Sequence, residues 1–247
     1  MAQKNKRDLD ILAFVLARGG STGVPGKNIK PINDKPLIGY TLDLANSSRF
    51  INKTIVATDC KEIKRVAEEF GAEVPTMRPV EMSQKLSRAY DAYRHYVTFL
   101  KNNSNYRPDI FVCLFSTSYT KTVSEVDAAI EKLIDTNCDW VFTVTECEHH
   151  PYRCFTPTED GRIEPFCRDV ESFDIWGNRQ ELPTTYRING NAFVTWTENI
   201  EKFPTYNIDM VNHADTDVRY VLCSQENSMD IDTPTDFKIA EYLIPNS

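Results

Sequence analysis

No apolar run in this chain approaches the ~18 residues that a membrane-spanning helix needs, and the sequence holds no internal repeat, no low-complexity tract and no C-x-x-C pair. These absences argue against a membrane span, a repeat array, a disordered segment and the usual paired-thiol motifs. Positive charge is short as well. Asp and Glu outnumber Lys and Arg 36 to 28, and a net charge of −8 weighs against a partner held through a phosphate backbone. Nucleic acid is therefore not an expected partner. A small anion in a local basic pocket is still permitted, because net charge says nothing about one cleft. What is present is ordinary for a globular protein: 41% apolar and 26% charged residues over 247 positions. That length suffices for one large α/β domain or two small ones, and we read a single domain over 1–247.

The opening segment carries positive charge ahead of an apolar run, so a signal peptide must be considered. The run covers only Ile11 to Ala17, follows Asp8 and Asp10, and is cut by Arg18. A buried first strand fits better. Seven cysteines, an odd number, read as reduced thiols and imply a cytoplasmic location. The stretch CEHHPYRC gathers Cys147, His149, His150 and Cys154, with Cys167 beyond. Polar loop residues with incidental thiols are the preferred reading over a metal site.

Apolar β-rich runs alternate with helical patterns. ILAFVLA, KTIVATD, DIFVCLF, DWVFTVT, NAFVTW and VRYVLC read as strands, with AEVPT as a short one. PLIGYTLDLANSS, KEIKRVAEEF closed by Gly71, LSRAYDAYRHYVTFLKN, VSEVDAAIEKLIDT and TPTDFKIAEYLI read as helices. Continuous apolar strands between helices imply an α/β fold, a mostly parallel sheet covered on both faces. Between about Glu146 and Leu182 the rhythm breaks into proline-, aromatic- and charge-rich sequence, expected as an insertion carrying recognition or subunit contacts.

After the first strand, four glycines, Pro25 and Lys27 fall within nine residues. A Walker A loop fails twice: Gly20 to Gly26 is one residue too long, and Asn28 stands where the magnesium hydroxyl belongs. The dinucleotide pattern G-x-G-x-x-G is not made by Gly20, Gly23 and Gly26. A cradle for a triphosphate fits better, with backbone N–H groups exposed by glycine and with Arg18 and Lys27 supplying charge from both ends.

LARGGSTGVPGKNIKPINDKPLIGYT resembles the opening of CMP-N-acylneuraminate synthetases, which begin with an apolar strand, A-R-G-G-S-x-G, then K-N and a K-P-L helix. IVATDCKEI, ECEHHPYR, RQELPTTYRINGNAFV and MDIDTPTDFKIAE resemble further family segments in order down the chain. The resemblance implies a Rossmann-like, glycosyltransferase-A-like three-layer nucleotidyltransferase fold with a dimerisation insertion, and hence a homodimer. It implies transfer of CMP from CTP to the anomeric hydroxyl of a sugar acid, with Mg2+ as cofactor and no membrane partner. Nucleotide contacts are then expected from Ala17, Arg18, Gly19, Gly20, Ser21, Lys27, Asn28, Arg78 and Ser87. Asp230 and Asp232 would hold the metal, lying two apart so that on a strand both would face one side. Arg18, Lys27 and Asp232 are the expected catalytic groups. The acceptor would meet Phe115, Thr117, Ser118, Arg179, Gln180, Arg187 and Asn189, with an arginine fork matching its carboxylate.

The chain departs from the family pattern at two places. Lys85 stands in SQKLSR where an acid is expected, and CLFSTSYTKT replaces L-L-Q-P-T-S-P-L-R, putting Phe115 for glutamine and Lys121 for arginine. These bear on the acceptor and leave open a legionaminic- or pseudaminic-type acid, or another acid. A catalytically silent nucleotide-binding homologue, or an enzyme using another nucleotide, are the alternatives. Asp59, at the end of KTIVATD, is expected to cap the following helix.

Overall fold

The computed structural model describes residues 8–21, 23–84, 87–167, 176–202 and 216–244. Its sheet has six strands in the order β10-β6-β9-β5-β1-β4, where β1 is Ile11–Leu16, β4 Lys53–Ala57, β5 Ile110–Phe115, β6 Trp140–Glu146, β9 Tyr186–Trp196 and β10 Val218–Leu222. All neighbours pair in parallel except β9, which runs antiparallel to both β5 and β6. Short hairpins β2–β3 (Pro31–Ile32, Lys35–Pro36) and β7–β8 (Phe155–Pro157, Ile163–Pro165) lie outside this sheet. The segment AEVPT is not a strand; it contributes a single bridge, Glu73 to Ile55, because β4 is already an edge and the chain leaves it at once.

The continuous apolar character of β1 follows from coverage on both faces. Ile11, Ala13 and Val15 pack with α1 (Leu37–Ser47), α2 (Lys61–Glu69) and α4 (Val123–Thr136). Leu12 and Phe14 face the other way, into a cluster with α3 (Ala89–Ser104) and Ile200 of α5 (Thr197–Lys202). There Phe14 meets Tyr93 and Tyr96 edge-on, with ring centroids 5.7 and 5.0 Å apart, a geometry aromatic quadrupoles favour. The layers are therefore helix, sheet, helix.

Two helix starts are held by reciprocal caps: Thr122 with Glu125 at α4, and Thr233 with Asp236 at α6 (Pro234–Leu243), where Pro234 opens the first turn. A third, smaller core joins Val24, Ile32, Leu37, Tyr119, Ile231, Phe237 and Ala240. It binds the glycine-rich loop to α6 and to the segment between β10 and α6. Among the described residues, no helix is long and apolar enough to cross a membrane.

Candidate active site

The loop after β1 is fastened from three sides. Ala17, buried, extends the pairing to β4 by donating its N–H to Ala57 O at 3.2 Å. The Gly19 N–H donates to Asp59 Oδ1 at 2.8 Å, and a Cβ on Gly19 would lie 2.9 Å from the Cβ of Cys60. Asp59 is thus a brace for the loop. The N-cap position of α2 belongs to Cys60, and no side chain caps that end. Asn28 is the third fastening: its Nδ2 donates to Arg18 O at 2.8 Å and its Oδ1 accepts from Ser116 Oγ at 2.6 Å. Both ends of this buried amide are spent on the protein.

The loop, the ends of β1 and β5, and the segment before α3 enclose an open cleft of about 260 Å³. Arg18, Ser21, Lys27, Asn28, Arg78, Ser87, Phe115 and Thr117 line it. Gly19 and Gly20 form the loop's outer backbone, and nothing lies within 4 Å of a Cβ built on Gly20. The Arg18 guanidinium donates to Gln84 O at 3.0 Å, and Arg78 Nε to Met82 O at 2.7 Å. Burial lowers the Arg78 pKa; the charge of Arg18 lowers it further, while Asp59 opposes both. Ser87 Oγ is held by Glu81 O at 2.9 Å. Lys27, 8% exposed, donates to Ile231 O and lies 3.4 Å from Asp232 Oδ1. Arg18, Lys27 and Arg78 bring three cations to one cleft, an arrangement that suits a polyanion.

Asp230 and Asp232 do not lie on a strand, because β10 ends at Leu222. Extended backbone still alternates: Ile231 is fully buried in the third core, and the acids on either side are exposed. Thr117 O accepts the Ile231 N–H at 3.2 Å, and Thr120 Oγ1 accepts the Met229 N–H at 3.1 Å. Asp232 faces Lys27, whereas Asp230 lines a second cleft of about 440 Å³ with Tyr119, Glu148, Arg187 and Ser228. Among the described residues no three His, Cys, Asp or Glu side chains gather closely enough to ligate a metal alone. Two carboxylates suit magnesium nonetheless, since that ion keeps several waters and takes further oxygens from nucleotide phosphates. The donor set fits.

The acceptor residues expected from sequence are dispersed. Ser118 is buried, 1% exposed, and turns inward beneath Gly190 instead of lining either cleft. Asn189 is buried too: its Nδ2 donates to Ser228 Oγ at 2.9 Å and its Oδ1 accepts from Asn191 N. Arg187 is engaged by Glu148 through two bonds of 3.0 and 2.7 Å, and that contact holds the Glu148 carboxyl down at about 2. Gln180 is exposed in the single turn Arg179–Glu181, away from both clefts; the Arg179 side chain and Lys85 lie outside the described residues. Phe115 does line the first cleft. It also walls an apolar chamber of about 270 Å³ with Tyr90, Tyr93, Phe111, Cys113, Trp140 and Phe193.

Sequence reasoning did not find Asp59, Ser116 or Glu148 in these roles. Their partners are a backbone N–H and side chains 39 to 88 positions away, and no local pattern announces such pairs. In CEHHPYRC the His150 ring accepts from Tyr152 N at 3.1 Å and meets Pro183 O at 2.9 Å. All seven cysteines are free thiols.

Comparison with known proteins bears on the fold and the family. A family model described as cytidylyltransferase matches residues 12–155. The chain is 30% identical over 236 residues to a Campylobacter jejuni pseudaminic acid cytidylyltransferase, covering 94% of this chain and 95% of that protein. It is 28% identical over 246 residues to the zebrafish (Danio rerio) N-acylneuraminate cytidylyltransferase A, covering 98% of this chain but 52% of that longer protein. A solved CMP:2-keto-3-deoxy-manno-octonic acid synthetase complexed with CTP shares the fold at a TM-score of 0.70 and 15% identity, covering 95% of this chain and 98% of that one. The chain belongs to the cytidylyltransferase family, on the branch of the acylneuraminate-type enzymes, and is a nucleotidyltransferase.

Proposed function

We propose that this enzyme transfers CMP from CTP to the anomeric hydroxyl of a nonulosonic sugar acid and releases pyrophosphate. The observation that carries the reading is the convergence of Arg18, Lys27 and Arg78 on one cleft at the carboxyl ends of β1 and β5, with Asp232 beside Lys27. In the reaction the acceptor oxygen attacks the α-phosphorus as the bond to the bridging oxygen breaks. Little covalent work falls to the protein. Its task is to hold the chain of phosphates and to neutralise charge that develops on the departing pyrophosphate. Arg18 and Lys27 stand at the two ends of the loop for that purpose. Asp230 and Asp232 would hold magnesium, which would add positive charge against the phosphates.

For the acceptor, two features support an acylated acid. The chamber behind Phe115 is apolar and adjoins the cleft, so it suits an apolar substituent. Arg187 presents a guanidinium fork that matches a carboxylate, once Glu148 yields it. Phe115 in place of a polar side chain favours a legionaminic- or pseudaminic-type acid over N-acetylneuraminate. The insertion exposes Ile163, Phe166 and Trp176, which supports a homodimer contact there; a monomer in light scattering at micromolar concentration would count against it.

The deciding experiment measures pyrophosphate release with each nucleoside triphosphate across a panel of 2-keto sugar acids. Release with CTP and at least one nonulosonic acid is expected. Silence with CTP and every such acid would sink the reading, and release with another nucleotide alone would redirect it.

A further inference from the structure

Lys121 is a buried ammonium that the reaction outlined above does not use. It is 7% exposed and lines none of the clefts described above. Among the described residues no carboxylate lies within ion-pair distance of it; Asp230 acts on it only through its field. Its three N–H donors are all spent on neutral oxygens: Thr41 Oγ1 of α1 at 2.8 Å, Phe115 O at 2.7 Å, and Ser118 O. Burial pushes its pKa down to about 7. A cation placed in such surroundings is costly, so its position calls for a physical reason.

The reason lies in what the turn after β5 holds. Lys121 ties the turn's first residue, Phe115, to Ser118 and pins both to α1. The same turn offers Thr117 O to the Ile231 N–H and Thr120 Oγ1 to the Met229 N–H. Those two N–H groups flank Asp230 and precede Asp232. The segment has no strand pairing of its own, so its register depends on this turn, on the Lys27 bond to Ile231 O and on the burial of Ile231. We propose that Lys121 is a positioning residue for the acidic segment, acting through the Phe115–Lys121 turn to set where Asp230 and Asp232 present their carboxylates. A lysine does this because three donors radiate from one atom to three acceptors on two elements. A neutral amide offers two, in a plane. Arginine, which the family pattern carries here, supplies more donors and keeps the charge.

The inference rests on the reading that Asp230 and Asp232 hold the metal, and the test separates the two. Lys121→Met, Lys121→Arg, Thr120→Val and Asp232→Asn are compared in the full chain. The readings are the Mg2+ concentration for half-maximal pyrophosphate release and the retention of Mn2+ by the protein–CTP complex, from the electron paramagnetic resonance signal of free Mn2+. Lys121→Met is expected to weaken Mn2+ retention and raise the half-maximal Mg2+ concentration by about 10–100-fold, the range for removing a group that orients a metal ligand. Lys121→Arg is expected to recover most of both. Thr120→Val removes only the hydroxyl that holds Met229, so it tests the same path if Lys121→Met fails to fold, and it is expected to shift both readings in the same direction. Wild-type metal readings in Thr120→Val, or in a folded Lys121→Met with a lowered melting temperature, would make the turn merely structural and overturn the proposal. If Asp232→Asn retains Mn2+ as the wild type does, the metal reading falls and the inference falls with it. If Asp232→Asn loses Mn2+ while the other variants do not, the inference fails alone.

Discussion

The Lys27 ammonium lies 3.4 Å from Asp232 Oδ1 although 205 positions separate the two in the chain. This contact joins the glycine-rich loop to the acidic segment, so a cation and an anion of the candidate site are delivered by distant parts of the sequence. Lys27 is nearly buried and Asp232 largely exposed, at 10% and 79% side-chain exposure. Lys27 is also anchored to Ile231 O, leaving Asp232 the more movable partner.

Asp232→Asn should therefore remove most turnover while CTP still binds. The loss expected is roughly 10²-fold or more in kcat, the scale for deleting one preorganised charge at a developing anion. Binding of CTP, read by calorimetry, should stay within a few-fold of wild type, since Arg18, Lys27 and Arg78 are untouched. Near-normal turnover would show that the carboxylate does not serve the reaction.

Gly23 and Gly20 sit in the same loop but should respond differently to alanine. A Cβ on Gly23 would collide with the backbone carbonyl oxygen of Asp232, which cannot swing aside as a side-chain tip would. A Cβ on Gly20 meets nothing within 4 Å. Gly23→Ala should destabilise the fold by about 1–3 kcal/mol, the cost of an added methyl in a filled space. Gly20→Ala should leave the urea midpoint close to wild type. Equal midpoints for the two variants would contradict the close approach of loop and acidic segment.

Much of this architecture was legible because two signals agreed. Leu12 and Phe14 face one helical layer and Ile11, Ala13 and Val15 the other, so β1 had to read as an unbroken apolar run. The helical pattern VSEVDAAIEKLIDT coincides with α4. The direction of β9 was not legible, because a strand's apolar pattern is the same read either way and only the route of the chain orients it. The acidic pair was legible as a pair but not as coil: alternation around Ile231 imitates a strand without one. Arg18 and Lys27 could be named because charge next to glycine after a strand is a local pattern, whereas Arg78 was named only through the family resemblance. Ser118, expected at the acceptor, turned inward, and Asp59, expected as a cap, turned to the loop; both choices depend on neighbours distant in sequence.

Asn28 offers a test of how the loop is braced. Asn28→Ala would leave Arg18 O without this partner and Ser116 Oγ with only Leu16 O at 3.3 Å, at about 1–3 kcal/mol for a buried polar group deprived of its bond. Ser116→Ala should cost less, since only Asn28 Oδ1 is left unpaired. The double variant should be less destabilised than the sum by roughly 0.5–1.5 kcal/mol. Additive effects in a double-mutant cycle would mean the two side chains do not act together. The Michaelis constant for CTP should also rise in Asn28→Ala, because the Arg18 carbonyl loses its anchor.

The Glu148–Arg187 pair should show itself in acid. Glu148 ordinarily titrates near 4.5, and the Arg187 contact lowers it to about 2 in the folded protein. A depressed folded value means that the unfolded chain binds the proton first as pH falls. The stabilisation is thus complete above pH 4.5 and disappears as pH drops toward 2. Both side chains are substantially exposed, at 43% for Glu148 and 40% for Arg187, so solvent screening confines the effect to ~1 kcal/mol or less. Glu148→Gln has no proton to gain. The stability difference between wild type and Glu148→Gln, from urea unfolding at a series of pH values, should be constant from pH 7 to about 5 and shrink steadily below 4.5. Added salt at neutral pH should shrink it as well, because the pair faces solvent. A difference independent of both pH and salt would show that Glu148 contributes through packing instead of charge, and Arg187 would then be free to meet an acceptor carboxylate without displacing it.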